Sequence, residues 1–451
     1  MCGIHLSIYP GRSLEMAQKA SHRGESIKIK EYGWGNASHN RLAIQGLDEK
    51  YDCPFEIGRN NDILFNGEIY NYKDINRKYK SDVECFKNNP DIGLFEGDYA
   101  FVEIYSKGKQ GRMSVMTDKY GKRQLYYRLE GNNVTEISSE IKSLIREGDE
   151  IDYYYLGSVC KFGYFFMGEN TMIKGIKKFL PGHNYQFYLG NHIYTKDKIF
   201  EGFEKVEDIS YENLRLTIEE SVQNRLVSDV PIAMLYSGGI DSSILLYNLH
   251  KLGKKDIQLF SVDNGEDLDY AKKYSNDLGR NISIVPYKEE NYMEIQKWNE
   301  LGADLGSFSL NYSLFKAVKE AGYKVCLTAD GADEVFSGYK RNKDLDHQQT
   351  DVFNELVQYH LPRLDRTAMV HTVEYRSPFT ANKVIEFGLS VPYEQRIDKK
   401  ILREAYRGLI PNYIIDRNKN PLKVETIKTD PLKQRIELCK WMEKNFIKSW
   451  L

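Results

Sequence analysis

PIAMLYSGGIDSS, residues 231–243, reads as a buried strand, a glycine turn and the start of a helix. The apolar run ends at Leu235-Tyr236. Gly238 and Gly239 then let backbone N–H groups approach a ligand, and Ser242 and Ser243 open the helix. N–H groups converging at a helix N-terminus form an anion-binding nest, suited to the pyrophosphate of ATP. No Gly-Lys-Ser/Thr follows, so this is not the P-loop of kinases. A purely structural turn in an α/β fold is the plainer reading of the same glycines.

Outward from this turn, strand-like and helix-like stretches alternate. ENLRLTIEESVQNRLV (212–227) has helical periodicity. IQLFSVD (257–263) and YKVCLTAD (323–330) are short apolar runs, separated by helical patterns such as LDYAKKYSNDLG and NYSLFKAVKEAG. Such alternation predicts a parallel α/β sheet. Before residue 195 the texture differs: GIHLSIY, ILFNGEIYNY, YAFVEIYS, RMSVMTD and QLYYRL predict a strand-rich half. The polar stretch TKDKIFEGFEKVED (195–208) marks the boundary, giving domains over 1–195 and 208–451.

With 451 residues, each half is long enough to bury its own core. A net charge of −2 leaves no electrostatic footprint for nucleic acid. No run of about 20 apolar residues could span a bilayer, and MCGIHLSIYPGR lacks the features of a secretory signal. Cytoplasmic residence is the expectation. Six scattered cysteines without a C-x-x-C pair argue against a disulfide framework or structural zinc.

Cys2 stands apart because of its position. Methionine removal before a small residue would leave Cys2 with a free α-amine, able to act as general base for its own thiol. Gly3 leaves room for a substrate beside the backbone. The bland alternative is an ordinary second codon. The segments that follow decide between them: Arg41 to Ile44 (RLAI), Asn66-Gly67-Glu68-Ile69-Tyr70-Asn71, Ser81-Asp82, FEGDYAF (95–101), TDKYGKRQLYY (117–127) and SSEIKSL (138–144). In that order they resemble the class II glutamine amidotransferase domain of asparagine synthetases, across nearly the whole first half.

The resemblance implies roles. Cys2 would be the nucleophile, with Asn66 and the Gly67 N–H as oxyanion hole. Arg41 would hold the glutamine α-carboxylate, while Glu68 and Asp82 would bind glutamine's polar end, Asp82 at the ammonium. Three places depart from the family: HRGES (22–26) replaces His-Arg-Gly-Pro-Asp, Thr117 stands where an Arg is usual, and the segment before Asp82 is short.

The second half resembles the PP-loop synthetase domain of the same family, in which ATP is cleaved between the α and β phosphates. Ser237, Gly238, Gly239, Asp241 and Ser242 would cradle the phosphates, and Leu235, Val262 and Thr328 would line the adenine and ribose pocket. In LTADGADEVFSGY (327–339), Asp333 aligns with a family aspartate and would join Asp241 in binding Mg²⁺. Glu334 is left as either a site residue or an ion-pair partner. Asp330 stands where the family carries a glutamate near the reacting adenylate. Asp365, Arg366, Glu374 and Arg376 fit a structural ion-pair network. DRNKNPL (416–422) places Lys419 where the family carries a catalytic lysine.

The expected molecule is a multi-domain α/β protein, an amino-terminal-nucleophile αββα sandwich followed by a helix-rich α/β PP-loop domain. Its expected substrates are small: glutamine, ATP with Mg²⁺, and aspartate or another carboxylate. No nucleic-acid or membrane partner is expected, and a homodimer is left open. The alternatives are the same chemistry on a different acceptor (a metabolite, sugar acid or peptide) and a non-catalytic relative that retains the fold.

Overall fold

The computed structural model describes residues 1–87, 91–163, 168–200, 202–263, 266–286, 295–300, 302, 305–343, 346–417 and 431–451. The described residues of the first half form twelve strands: β1 (Gly3–Ser7), β2 (Ser26–Tyr32), β3 (Gly35–Arg41), β4 (Phe55–Gly58), β5 (Asn61–Ile69), β6 (Gly97–Lys107), β7 (Gln110–Thr117), β8 (Tyr126–Glu130), β9 (Asn133–Ser138), β10 (Ile176–Lys178), β11 (His183–Tyr188) and β12 (Ile193–Lys198). They form two six-stranded sheets, ordered β10-β8-β9-β1-β3-β2 and β12-β11-β7-β6-β5-β4. Alternation along each strand sends one set of side chains inward. Ile4, Leu6, Ala37 and Ile137 of the first sheet thereby share a core with Leu64, Ala100, Val102 and Val115 of the second.

Helices cover the outer faces. The helix Arg12–Lys19 buries Met16 and Ala17 against β1 and β3. On the other sheet, Phe86 of the turn Asp82–Phe86 packs on Phe65 and Phe101. This is the αββα sandwich the sequence leads one to expect.

The helix Pro431–Asn445 is far away in sequence but belongs to this unit. Leu438, Cys439, Met442 and Phe446 form an apolar stripe at helical spacing. They bury it among Tyr155, Leu156 and Val159 of the helix Tyr153–Phe162. The compact unit thus comprises residues 1–201 with the described residues of 291–305 and 429–451. The interval 208–451 is therefore not one contiguous body.

The second unit is built on a parallel sheet of β13 (Ile232–Leu235), β14 (Gln258–Val262), β15 (Ile282–Val285), β16 (Val325–Leu327) and β17 (Glu374–Arg376). The order is β15-β14-β13-β16-β17, every neighbouring pair being parallel. From β13 the chain first adds strands on one side, then resumes on the other with β16. Ligands of open α/β sheets bind at such a switch point, outside the strands' carboxyl ends. β13 is apolar throughout because helices cover both faces of a parallel sheet. Ser210 caps the preceding helix Tyr211–Arg225 by accepting from Asn213 N–H at 3.2 Å.

Candidate active site

Cys2 leads into β1, whereas Asn66 lies on β5 of the opposite sheet, facing inward like Leu64. The two meet across the sandwich, Cys2 N–H donating to Asn66 Oδ1 at 2.8 Å. Asn66 is buried, and its Nδ2 has no hydrogen-bond partner among the described residues. An open buried donor costs about 1–3 kcal/mol, which a ligand oxygen would offset. Gly67 follows with φ +128°, and a Cβ there would stand 2.0 Å from the Asp98 carbonyl oxygen. Only glycine fits this conformation beside β6.

Arg41, Glu68 and Asp82 gather around one loop. Arg41 Nη1 donates to the Asp48 carbonyl at 2.9 Å and pairs with Asp52, while Nη2 bonds the Gly46 carbonyl. Glu68 accepts from Gln45. Gly46 abuts Ser81, and the neighbouring Asp82 is buried and accepts from Ile69 N–H at 3.0 Å. The structure therefore brings Cys2, Asn66, Gly67, Arg41, Glu68 and Asp82 into one region. Arg41 and Asp82 there hold protein partners.

The HRGES departure leaves Cys2 supported from this loop. Arg23 Nε donates to the Cys2 carbonyl at 2.9 Å, and its Nη1 bonds Glu140 at 2.8 Å. The altered residues Glu25 and Ser26 lead into β2, with Glu25 N–H on the Arg41 carbonyl at 2.8 Å. Thr117, buried at the end of β7, places its hydroxyl 3.5 Å from the Leu180 carbonyl.

In the second unit, Leu235, Ser237, Gly239, Asp241, Ser242, Val262, Thr328, Asp330 and Asp333 line one cavity of about 310 Å³. Gly238 makes the turn beneath it at φ +72°, where a Cβ would meet Ala271 N at 2.6 Å. The Ser237 and Ser242 hydroxyls lie 3.1 Å apart, closing the loop onto the first turn of the helix Ile240–Lys251. Thr328 Oγ1 is buried without a partner among the described residues, an opening for a ligand. Asp330 lies 3.8 Å from Arg363.

Sequence reasoning missed Lys399. Its Nζ lies 2.5 Å from Asp241 and 2.6 Å from Asp333, bridging both acids. Burial alone would push this ammonium down, but the two carboxylates outweigh it and hold Lys399 above its ordinary value. Lys399 and Asp398 both have positive φ, +60° and +58°. Two consecutive non-glycine residues there are costly and persist only where surroundings impose them. No local sequence signal marks this lysine, because its partners lie over 60 and over 150 positions away.

Glu334 turns to another environment, bonding Tyr339 and lying 3.6 Å from His360. Burial raises its carboxyl above the usual range, opposed by His360. Asp365 pairs with Arg366 at 2.5 Å and Glu374 with Arg376 at 2.7 Å, all four buried. Lys419 lies outside the described residues. Among the described residues no group of three or more His, Cys, Asp or Glu side chains is arranged for a metal, and no helix is long and apolar enough to cross a membrane.

Two family models match this chain: the Glutamine amidotransferase domain over residues 1–197, and Asparagine synthase over 213–355 and 345–449. Among curated proteins, a Methanocaldococcus jannaschii sequence assigned as a glutamine-hydrolysing asparagine synthetase is 29% identical over 419 residues, covering 83% of this chain and 72% of that one. The Bos taurus asparagine synthetase (glutamine-hydrolysing) is 25% identical over 494 residues, covering 93% and 83%. The human one is 26% identical over 402 residues, covering 79% and 71%. The chain belongs to the glutamine-hydrolysing asparagine synthetase family, ATP-dependent enzymes that form an amide with nitrogen from glutamine.

Proposed function

We propose that the acceptor is aspartate and the product asparagine. The observation that carries this reading is the Asp330–Arg363 pair at 3.8 Å, with Asp330 on the wall of the Asp241–Asp333 cavity. An amino-acid acceptor presents both an ammonium and a carboxylate, and this pair offers one counter-charge for each.

With Met1 removed, the Cys2 nitrogen becomes an amine that takes the thiol proton. The thiolate attacks the glutamine carboxamide, and Asn66 Nδ2 with Gly67 N–H receives the oxyanion. The proton passes to departing ammonia, and water hydrolyses the thioester to glutamate. Arg41 exchanges its loop carbonyls for the substrate α-carboxylate, with Glu68 and Asp82 at the polar end. In the synthetase unit, an aspartate carboxylate oxygen attacks the α-phosphorus of ATP and pyrophosphate leaves. Ammonia then displaces AMP. Asp241 and Asp333 are oxygen donors that would hold Mg²⁺, which would displace the Lys399 ammonium from between them and, bound there, offset phosphate charge. Lys419 is assigned to the α-phosphate, and Lys399 to the pyrophosphate side.

A second reading keeps the chemistry but changes the acceptor. Asp330 is one methylene, roughly 1.5 Å, shorter than the family glutamate, which leaves room for a bulkier carboxylate. Misplacement on that scale costs on the order of 10²-fold in rate. Pyrophosphate release from ATP, Mg²⁺ and glutamine, measured across candidate carboxylates, separates the two. Aspartate should give the highest kcat/KM, and Asp330→Glu should retain asparagine formation. Weak aspartate turnover with a strong response to another carboxylate would overturn the asparagine assignment alone. ADP as the stoichiometric product would overturn adenylation.

A further inference from the structure

Behind Cys2 lies a buried ionic cluster that the chemistry above does not use. Glu140 accepts from Arg23 at 2.8 Å and from His22 at 3.1 Å, and it pairs with Lys142. Burial would raise its carboxyl, but His22, Lys142 and Arg23 hold it well below the usual range. Glu300, also buried, accepts from the backbone N–H of Ile141 at 3.2 Å and of Lys142 at 2.7 Å, and lies 3.6 Å from Lys142 Nζ. Two buried carboxylates therefore face the Arg23 guanidinium and the Lys142 ammonium.

The open side of Lys142 faces two indoles. Its Nζ lies 5.1 Å from the Trp298 ring centre and 5.2 Å from that of Trp450. The two rings meet edge to face at 5.0 Å, and His22 packs edge-on against Trp298 at 4.9 Å. Trp450 Nε1 donates to the Lys297 carbonyl at 3.3 Å, tying the two segments together. A desolvated ammonium over indole faces is held in place by the ring quadrupoles.

These contacts form one chain to the nucleophile. Trp450 and Trp298 fix Lys142, Lys142 fixes Glu140, Glu140 fixes Arg23, and Arg23 holds the Cys2 carbonyl at 2.9 Å. We propose that the carboxy-terminal segment positions the nucleophile, with Trp450 as its distal positioning residue. The segment around Trp450 thereby supports the site around Cys2. This inference rests on reading Cys2 as the glutaminase nucleophile.

The test uses the full chain, comparing Trp450→Ala and Trp450→Phe with wild type. Glutaminase kcat and KM, ammonia-dependent synthesis, and the pH profile of Cys2 alkylation by iodoacetamide, read by peptide mass spectrometry, are measured together. Trp450→Ala should lower glutaminase kcat about tenfold with little change in KM. It should shift the alkylation profile and leave ammonia-dependent synthesis intact, while Trp450→Phe restores most of the loss. An unchanged alkylation profile and kcat in Trp450→Ala, or a parallel loss of both activities, overturns the proposal. If Trp450→Ala does not fold, Lys142→Arg and Trp450→Phe carry the same comparison. Wild-type protein without glutamine hydrolysis would defeat the Cys2 reading instead, and the alkylation profiles would still report whether Trp450 acts on Cys2.

Discussion

Asn66 and Lys399 show how single side chains set the two sites. The Nδ2 of Asn66 has no partner among the described residues, and on the proposed reading this donor beside Cys2 serves the transition state rather than the fold. Asn66→Ala should lower glutaminase kcat by about 10²- to 10³-fold with a near-native melting temperature. Steady-state kinetics with glutamine and a thermal scan check this. Lys399 neutralises two acids that would otherwise repel one another. Lys399→Met should destabilise metal-free protein by about 1–3 kcal/mol, discounted because the carboxylates are partly exposed. Added Mg²⁺ should recover part of that loss. Urea unfolding with and without Mg²⁺ measures both, and destabilisation that Mg²⁺ leaves untouched would sink this account. Asn66 was legible because it sits in a contiguous pattern beside Gly67. Lys399 was not, because its meaning arises only where three distant segments meet.

Among elements, the loop after β13 and the strand β3 make opposite lessons. The loop was readable because apolar run, glycines and serines each have a local cause, and Gly238 meets the requirement for φ +72° directly. Gly238→Ala would add a Cβ 2.6 Å from Ala271 N, in the helix Glu266–Asp277, and strain the backbone as well. The expected cost is about 1–3 kcal/mol, with ATP-dependent pyrophosphate release lost before glutaminase activity. Paired assays on the purified variant check that order. β3, in contrast, reads GNASHNR and carries no apolar alternation. Its polar side chains are buried because they satisfy the helix Arg12–Lys19 and its approach: Asn36 Oδ1 accepts from Ser13 N–H at 2.8 Å, and Asn40 Nδ2 donates to the Ala17 carbonyl at 3.0 Å. Buried polar groups demand partners, and such partners cannot be read from periodicity.

At the scale of the whole molecule, buried histidines make stability depend on pH. Burial pushes His5 down to about 3 and His39 down to about 4, from 6.5 in an unfolded chain. Both folded values are depressed, so the unfolded state takes up protons first as pH falls. Stability is therefore full above about 6.5 and is lost progressively down to about 3–4. At pH 5 each histidine should cost about 2 kcal/mol, and His39→Gln should flatten its share of the slope. Urea midpoints at pH 7.5 and 5 test this, and equal midpoints would refute it. The αββα sandwich and the roles expected of Cys2, Asn66, Gly67, Asp241 and Asp333 came from the resemblance of ordered motifs to a family, whereas local sequence determined the strand-rich texture of the first half and the parallel sheet of the second, from strands alternating with helices. That texture and that alternation follow from backbone conformation and side-chain chemistry within a few residues. Only the tertiary structure decided that Pro431–Asn445 joins the amino-terminal sandwich, that Trp450 reaches Lys142, and that Lys399 stands between Asp241 and Asp333. Each of these depends on burial against chain hundreds or scores of residues away. That pairing is selected by the apolar area and charge a segment finds when the chain closes on itself, and no local pattern encodes it.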